Sequence, residues 1–356
     1  MEDAGKLVLL GIYCSKEDPA KAVMWIRKAA ELGHSGAQVL LACHLANGDG
    51  VDRDLTEAAK WFGKAAEQGE ASAQFLFAQH LATGNGVVKD LVAAVNWVIK
   101  AAEQGHSDAQ VHLGRCLLAG EGVEANPDEA AKWFRKAAEQ GNAGGQVGLG
   151  DCYRAGNGVG KDSAEAVNWY RKAAEQGHPE GQARLGACYA DGDGIGEDPS
   201  EAARWFRKAA EQEYDAAQFF LGHCYKTGSG VEKSAIEAVK WFRKAAEQGN
   251  AEGQLALGLC YAAGKGVEED SVEAAKWFRE AAEQGHAGGQ VRLGACYAVG
   301  AGLEIDKDQA VEWFRRAEEQ GDVRAQVLLG HKAPDDGING DLAGAMLTAL
   351  LAGGRE

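Results

Sequence analysis

Cysteine and histidine are the residues whose spacing first invites a chemical reading. Six of the eight cysteines recur every 36 residues: Cys116, Cys152, Cys188, Cys224, Cys260 and Cys296. His44 and His80 occupy the same register earlier in the chain, and His112 stands one helical turn before Cys116. His80, His112 and Cys116 are of the types that ligate zinc. Equivalent helices in stacked repeats lie roughly 8–10 Å apart or more, however, which is unfavourable to convergence on one ion. We therefore assign no metal. That spacing also exceeds the Cα separation of about 4.4–6.8 Å needed for a disulfide, so neighbours in the column should stay unpaired. Small buried thiols in a reducing compartment are expected.

A second set of candidates precedes each tryptophan: Met24, Lys60, Asn96, Lys132, Asn168, Arg204, Lys240, Lys276 and Glu312. This position lies off the apolar face of its helix, and it varies where much else repeats. Asn96 and Asn168 are the leading candidates for partner contacts, followed by Lys60, Lys132, Arg204, Lys240 and Lys276. The competing reading is an ordinary solvated face. A third set, Tyr214 with Phe219 and Phe220, is either an exposed aromatic patch or core beside a repaired turn. No nucleophile–base–acid set stands out, so no enzyme is expected. The recurring Gly-x-Gly lacks the further glycine of a dinucleotide fingerprint and follows helices rather than strands, so no cofactor is expected either.

The elements that must position these residues are set by one repeat. Tryptophans fall at 25, 61, 97, 133, 169, 205, 241, 277 and 313, each 36 residues after the last. A glutamine follows each by thirteen residues, from Gln38 to Gln326. A fixed period of this length signals stacked repeats rather than one closed core. Seven residues before each tryptophan stands Asp, Asn or Ser (Asp18, Asp54, Asn126 and Ser234, for example), suited to cap a helix N-terminus. Glu or Gln three residues on completes a capping-box spacing in seven repeats. Pro19, Pro127 and Pro199 take the first helical position, where no N–H is needed. A glycine eight residues past the tryptophan stops the helix; the sixth repeat alone has Glu213 there. Helix A is thus about fourteen residues. Helix B follows, with apolar residues such as Val147, Leu149, Cys152 and Tyr153 at helical spacing. It ends at the Gly-x-Gly, whose glycines supply positive φ.

A hairpin this short cannot bury its apolar face alone, so neighbours must stack. Each indole is expected in that interface, where about 200 Å² of burial is worth at most roughly 5 kcal/mol. Ala137, Ala138, Gly145 and Gly150 are expected where backbones cross. Arg135 and Glu139 should form a weak i,i+4 pair in solvent.

The run Trp133-Phe134-Arg135-Lys136-Ala137-Ala138-Glu139-Gln140-Gly141, followed by Gly145-Gln146, Leu149-Gly150 and Gly156-x-Gly158, resembles the Sel1-like repeat, a relative of the tetratricopeptide repeat. The resemblance implies an all-α fold, a right-handed α/α superhelix of nine 36-residue hairpins with terminal capping helices. The expected boundaries are 1–17 for the N-terminal cap, 18–330 for the repeats and 331–356 for the C-terminal cap. It also implies an adaptor or scaffold whose concave surface, lined by helix A, binds a protein or peptide; asparagine and lysine before the tryptophan resemble the groups with which tetratricopeptide grooves hold peptide backbones and carboxylates. The alternative is a structural spacer without a specific ligand, which the near-identity of neighbouring repeats favours. A net charge of −16 argues against nucleic acid and anionic lipid as partners. No apolar run reaches a membrane span. Glu2 and Asp3 precede the apolar Leu7–Cys14 where a signal peptide would be basic, so a soluble cytoplasmic protein is expected.

Overall fold

The computed structural model describes residues 2–15 and 18–330. Among them every regular element is a helix. The chain divides into two units, Met1–Gln176 and Gly177–Glu356. The first holds α1 (Glu2–Cys14), α2 (Pro19–Glu31), α3 (Ser35–Asn47), α4 (Leu55–Glu67), α5 (Ala71–Thr83), α6 (Leu91–Glu103), α7 (Ser107–Ala119), α8 (Pro127–Glu139), α9 (Ala143–Ala155) and α10 (Ser163–Glu175). The second holds α11 (Pro179–Asp191), α12 (Pro199–Glu211), α13 (Asp215–Thr227), α14 (Ala235–Glu247), α15 (Ala251–Ala263), α16 (Ser271–Glu283), α17 (Ala287–Val299), α18 (Lys307–Glu319) and α19 (Val323–Leu328). Within each unit consecutive helices pack on one another in chain order, the arrangement of an α-solenoid. Even-numbered helices from α2 to α18 are the A helices, and odd-numbered helices from α3 are the B helices. The C-terminal cap expected over 331–356 lies outside the described residues.

The punctuation works as the sequence implies. Asp54 accepts from Glu57 N at 2.8 Å and Asn126 from Glu129 N at 3.0 Å, each supplying an acceptor to a first-turn amide. B helices are capped too: Asn142 accepts from Gly145 N at 3.0 Å and His106 Nδ1 from Ala109 N at 3.2 Å. The stop glycines are left-handed, with φ of 86° at Gly141 and 89° at Gly249. Glu213 adopts φ 63° at the same place, so the sixth turn keeps its shape at the expense of a strained side-chain-bearing residue. In Gly-x-Gly the second glycine has two reasons to be glycine. Gly158 has φ 69°, and a Cβ there would stand 2.0 Å from the Pro127 carbonyl oxygen at the start of α8.

The tryptophans do not anchor the core as expected. Only Trp133 and Trp313 are buried, at 9% and 8% exposure, and the other indoles are partly exposed. The deep anchor is the next residue: Ile26, Phe62, Val98, Phe134, Tyr170, Phe206, Phe242, Phe278 and Phe314 are all buried. The helix turn explains this, because one residue rotates the side chain by about 100°. Glycines on B helices make room for these rings. A Cβ on Gly150 would lie 2.5 Å from Tyr170, and one on Gly222 would lie 2.6 Å from Phe242. Gly145 approaches Ala137 as expected, with 2.6 Å to a built Cβ. Helix α1 joins the first unit in the same way, Gly11 lying against Ile26 and the Ala22 carbonyl.

A ladder of glutamines ties repeat to repeat. Gln110 is buried; its Nε2 donates to the Ala102 carbonyl at 3.1 Å, and its Oε1 accepts from Gln140 Nε2 at 2.7 Å. The same inter-repeat bond joins Gln68 to Gln38, Gln104 to Gln74 and Gln176 to Gln146 in the first unit. In the second it joins Gln212 to Gln182, Gln248 to Gln218, Gln284 to Gln254 and Gln320 to Gln290. A buried amide with both ends satisfied fixes the register of stacking, because a slip would strand its donors and acceptor.

Candidate partner-binding surface

All seven residues named as partner contacts are exposed on A helices. Lys60, Asn96, Lys132 and Asn168 belong to the first unit, and Arg204, Lys240 and Lys276 to the second. Five of them are engaged by the carboxylate one turn earlier. Lys132 donates to Glu129 at 3.0 Å, Arg204 to Glu201 at 2.9 Å, Lys240 to Glu237 at 2.5 Å and Lys276 to Glu273 at 2.5 Å. Asn168 Nδ2 donates to Glu165 at 3.3 Å. Such exposed i,i+3 pairs open at little cost, because solvent screens them. Asn96 has Ala93 at the place of that glutamate, and no side-chain bond holds it among the described residues. At Lys60 the glutamate is taken: Glu57 pairs with Arg27 of the preceding repeat and accepts from Trp61 Nε1 at 3.1 Å. The Arg27 hydrogen bond lowers the Glu57 pKa, and it raises that of Arg27.

The indole beside this row has a consistent partner that the sequence reading missed. In eight of the nine repeats a lysine or arginine three residues on folds over the ring, at 3.6 Å for Lys136 on Trp133 and 4.8 Å for Lys28 on Trp25. The spacing was legible, since i and i+3 share a helix face. A second missed pair joins helix A to helix B: Arg135 donates to the Tyr153 hydroxyl at 2.9 Å, and Arg207, Arg243 and Arg279 treat Tyr225, Tyr261 and Tyr297 alike. The expected Arg135–Glu139 pair is therefore corrected, because the guanidinium turns inward to the tyrosine rather than along its helix.

The zinc-type residues are employed separately. His80 Nδ1 bonds the Asn85 carbonyl at 2.7 Å and its ring packs on Phe62, whereas His112 meets Phe75 edge-on at 6.0 Å. Among the described residues no group of three or more His, Cys, Asp and Glu side chains is placed to hold a metal. None of the eight cysteines is joined in a disulfide among the described residues, and the six of the column are buried. Burial pushes the Cys152 thiol up to about 11 and Cys296 to about 12, which leaves both protonated and unreactive near neutrality. Of the aromatic set, Phe220 stacks on Phe206 at 5.1 Å and touches Phe219, yet remains 39% exposed. It is both core cover and surface. No helix among the described residues is long and apolar enough to cross a membrane.

Comparison with known proteins places the pattern. The Sel1 repeat family model matches nine consecutive times, at 2–34, 35–70, 71–106, 107–142, 143–178, 179–214, 215–250, 251–286 and 287–322. It frames each repeat as helix B followed by helix A, so that α1 opens the first. A protective antigen of uropathogenic Escherichia coli strains, whose crystal structure displays an SLR fold, is 38% identical with a TM-score of 0.64. The match covers 86% of this chain and 66% of that one, so the chain spans just under two thirds of that protein. A Sel1 repeat protein from Oxalobacter formigenes is 35% identical, again with a TM-score of 0.64, over 67% of this chain and 96% of its own. A search of curated proteins finds no match. Sel1 repeat proteins are generally non-catalytic scaffolds for protein interaction.

Proposed function

The chain belongs to the Sel1 repeat family, and from that premise we propose that it is an adaptor holding a protein or peptide segment on the A-helix surface expected to be concave. The residue before each tryptophan makes the contacts in this reading, with Asn96 and Asn168 binding backbone amides and Lys60, Lys132, Arg204, Lys240 and Lys276 meeting carboxylates. The observation that carries it is the state of this row: every member is exposed, varied in type, and either unbonded like Asn96 or held only by a partly exposed carboxylate on its own helix. A ligand can take over such bonds without disturbing the core. Asn→Ala replacement at both positions is the direct test. The tagged chain and its Asn96→Ala/Asn168→Ala variant are expected to co-purify different protein sets by mass spectrometry; identical sets would overturn groove binding at this row. A spacer without a specific ligand is the second reading. It is favoured by the near-identity of neighbouring repeats, and it expects those identical sets.

A further inference from the structure

Eight of the nine indoles are covered by a cation three residues on: Lys28, Lys64, Lys100, Lys136, Lys172, Lys208, Lys244 and Arg316 stand 3.6–4.8 Å from the ring centroids of their tryptophans. The exception is Trp277. Its counterpart is Glu280, exposed and acidic, and among the described residues no lysine or arginine lies over the ring. The two cations of α16 are engaged elsewhere: Lys276 holds Glu273 at 2.5 Å, and Arg279 holds the Tyr297 hydroxyl at 2.9 Å. The inner side of Trp277 packs on the core formed by Val239, Phe242, Leu257 and Cys260, so the indole is fixed in place.

We propose that the outer face of Trp277, flanked by Glu280, is a docking point for an arginine or lysine side chain of a basic protein segment. An indole face is electron-rich and attracts a cation stacked on it. In eight repeats the chain supplies that cation itself, which shows that the surroundings of this position admit one within 5 Å of the ring. At Trp277 the chain supplies a carboxylate instead. A guanidinium laid on the indole would pair with Glu280 at its edge, a combination of cation–π and charged hydrogen bond that neither residue offers alone. The net charge of −16 favours approach of a basic segment over an acidic one. The inference rests on the proposed binding of a protein segment by the A helices, and it adds the chemistry of one contact in the second unit.

The test is a titration of the full ¹⁵N-labelled chain followed at the indole N–H resonances, with the Trp277 signal assigned by Trp277→Phe. The probe is a blocked Gly-Arg-Gly peptide, and the control is the same peptide with citrulline, which keeps the shape and lacks the charge. The Trp277 signal is expected to shift severalfold more than any other indole with the arginine peptide and hardly at all with citrulline. Glu280→Lys, which installs the residue found in the preceding repeat, should abolish the response while leaving the other resonances in place. Equal shifts at all indoles, equal shifts with citrulline, or a response surviving in Glu280→Lys would each overturn the proposal. The Asn96/Asn168 co-purification reads the other unit, so either idea can fail without the other.

Discussion

The early and late B helices solve one packing problem with different side chains. In α3 and α5 the three positions of the inner turn read Ala42, His44, Leu45 and Ala78, His80, Leu81; in α9, α11, α13, α15 and α17 they read glycine, cysteine, tyrosine. Helix α7 mixes them, with Gly114, Cys116 and Leu117. The backbone is indifferent to the exchange. Gly48 N and Asp49 N share the His44 carbonyl at 2.8 and 3.1 Å, and Gly156 N and Asn157 N share that of Cys152 at 2.8 and 3.0 Å. With the turn already closed by two amides, the side chain is released for other work. Histidine adds a third bond to the turn, as His44 Nδ1 does to the Asp49 carbonyl at 2.8 Å. Cysteine instead fills space, and the tyrosine beside it reaches back to an arginine. Arginine and tyrosine are absent together in two hairpins, where Leu81 and Leu117 go with Gly63 and Ile99 in place of Arg135 with Tyr153, whereas Arg27, in register with Leu45, turns to Glu57 of the following repeat. Where the tyrosine is lost, the arginine is lost with it or, at Arg27, meets a carboxylate, which avoids leaving a donor stranded.

The largest expected effect on this contrast comes from alkali, because only the later helices bury the thiol column. An unfolded thiol ionises near about pH 8.5. In the folded chain Cys152 and Cys296 are raised to about 11 and about 12 by burial. A raised acid contributes stability that is complete below the unfolded value and lost as pH rises through it toward the folded one. Each of these two thiols should thus cost up to about 1.4 kcal/mol per pH unit above roughly 8.5. Urea denaturation at pH 8 and pH 10 is expected to show that loss, and Cys152→Ala/Cys296→Ala should flatten it. An equal slope in the double variant would sink the account.

Next in size is the glycine that faces the buried ring. Gly150→Ala puts a methyl 2.5 Å from Tyr170, whose hydroxyl is tethered to Asp151 at 2.7 Å and resists moving aside. Overpacking of this kind costs about 1–3 kcal/mol, enough to exceed the roughly 1 kcal/mol that alanine gains over glycine in a helix. The early helices already carry alanine at this place, and Ala42 is fully buried, so Ala42→Gly should lose that intrinsic preference together with one buried methyl, about 1 kcal/mol each. If Gly150→Ala raises the denaturation midpoint, as helix preference alone would have it, the two regions do not differ in packing as described.

Much of this was legible beforehand. The period, both helices of each hairpin, the caps, the stop glycines and the want of disulfides in the cysteine column follow from local rules that need only residue type and spacing. What the sequence hid was which of two adjacent large residues enters the core. Trp61 and Phe62 are both apolar, and only the rotation of α4 against its neighbours places the phenyl inside and leaves the indole, like most of its column, at the rim. The pairings across repeats were also hidden. Gln68 and Gln38 are 30 residues apart, and their bond needs the stacking to exist before it can be seen. The seven candidate positions lie on exposed helix surface, and the engagement of five of them by Glu129, Glu165, Glu201, Glu237 and Glu273 depends on side-chain rotamers rather than on pattern.

The smallest effect expected comes from the turn after α12, where a later hairpin departs from early and late patterns alike. Every other stop position holds glycine, and here Glu213 is held at φ 63° while Tyr214 replaces the usual cap and makes no side-chain cap bond. The turn survives because its backbone bonds are intact: Glu213 N donates to Ala210 at 3.1 Å and Tyr214 N to Ala209 at 3.2 Å. Left-handed geometry costs a side-chain-bearing residue roughly 1 kcal/mol that glycine does not incur. Glu213→Gly should therefore raise stability by somewhat less than this, because glycine also loses more entropy on folding. Restoring the cap alone, by Tyr214→Asn, should contribute about 0.5–1 kcal/mol independently if the aromatic ring makes no larger contribution. The two gains should add only if strain and capping are separate, and a thermal-midpoint cycle over both single variants and the double measures that directly. A fall in midpoint for Glu213→Gly would mean that the glutamate itself stabilises the turn, and that this hairpin belongs to neither pattern.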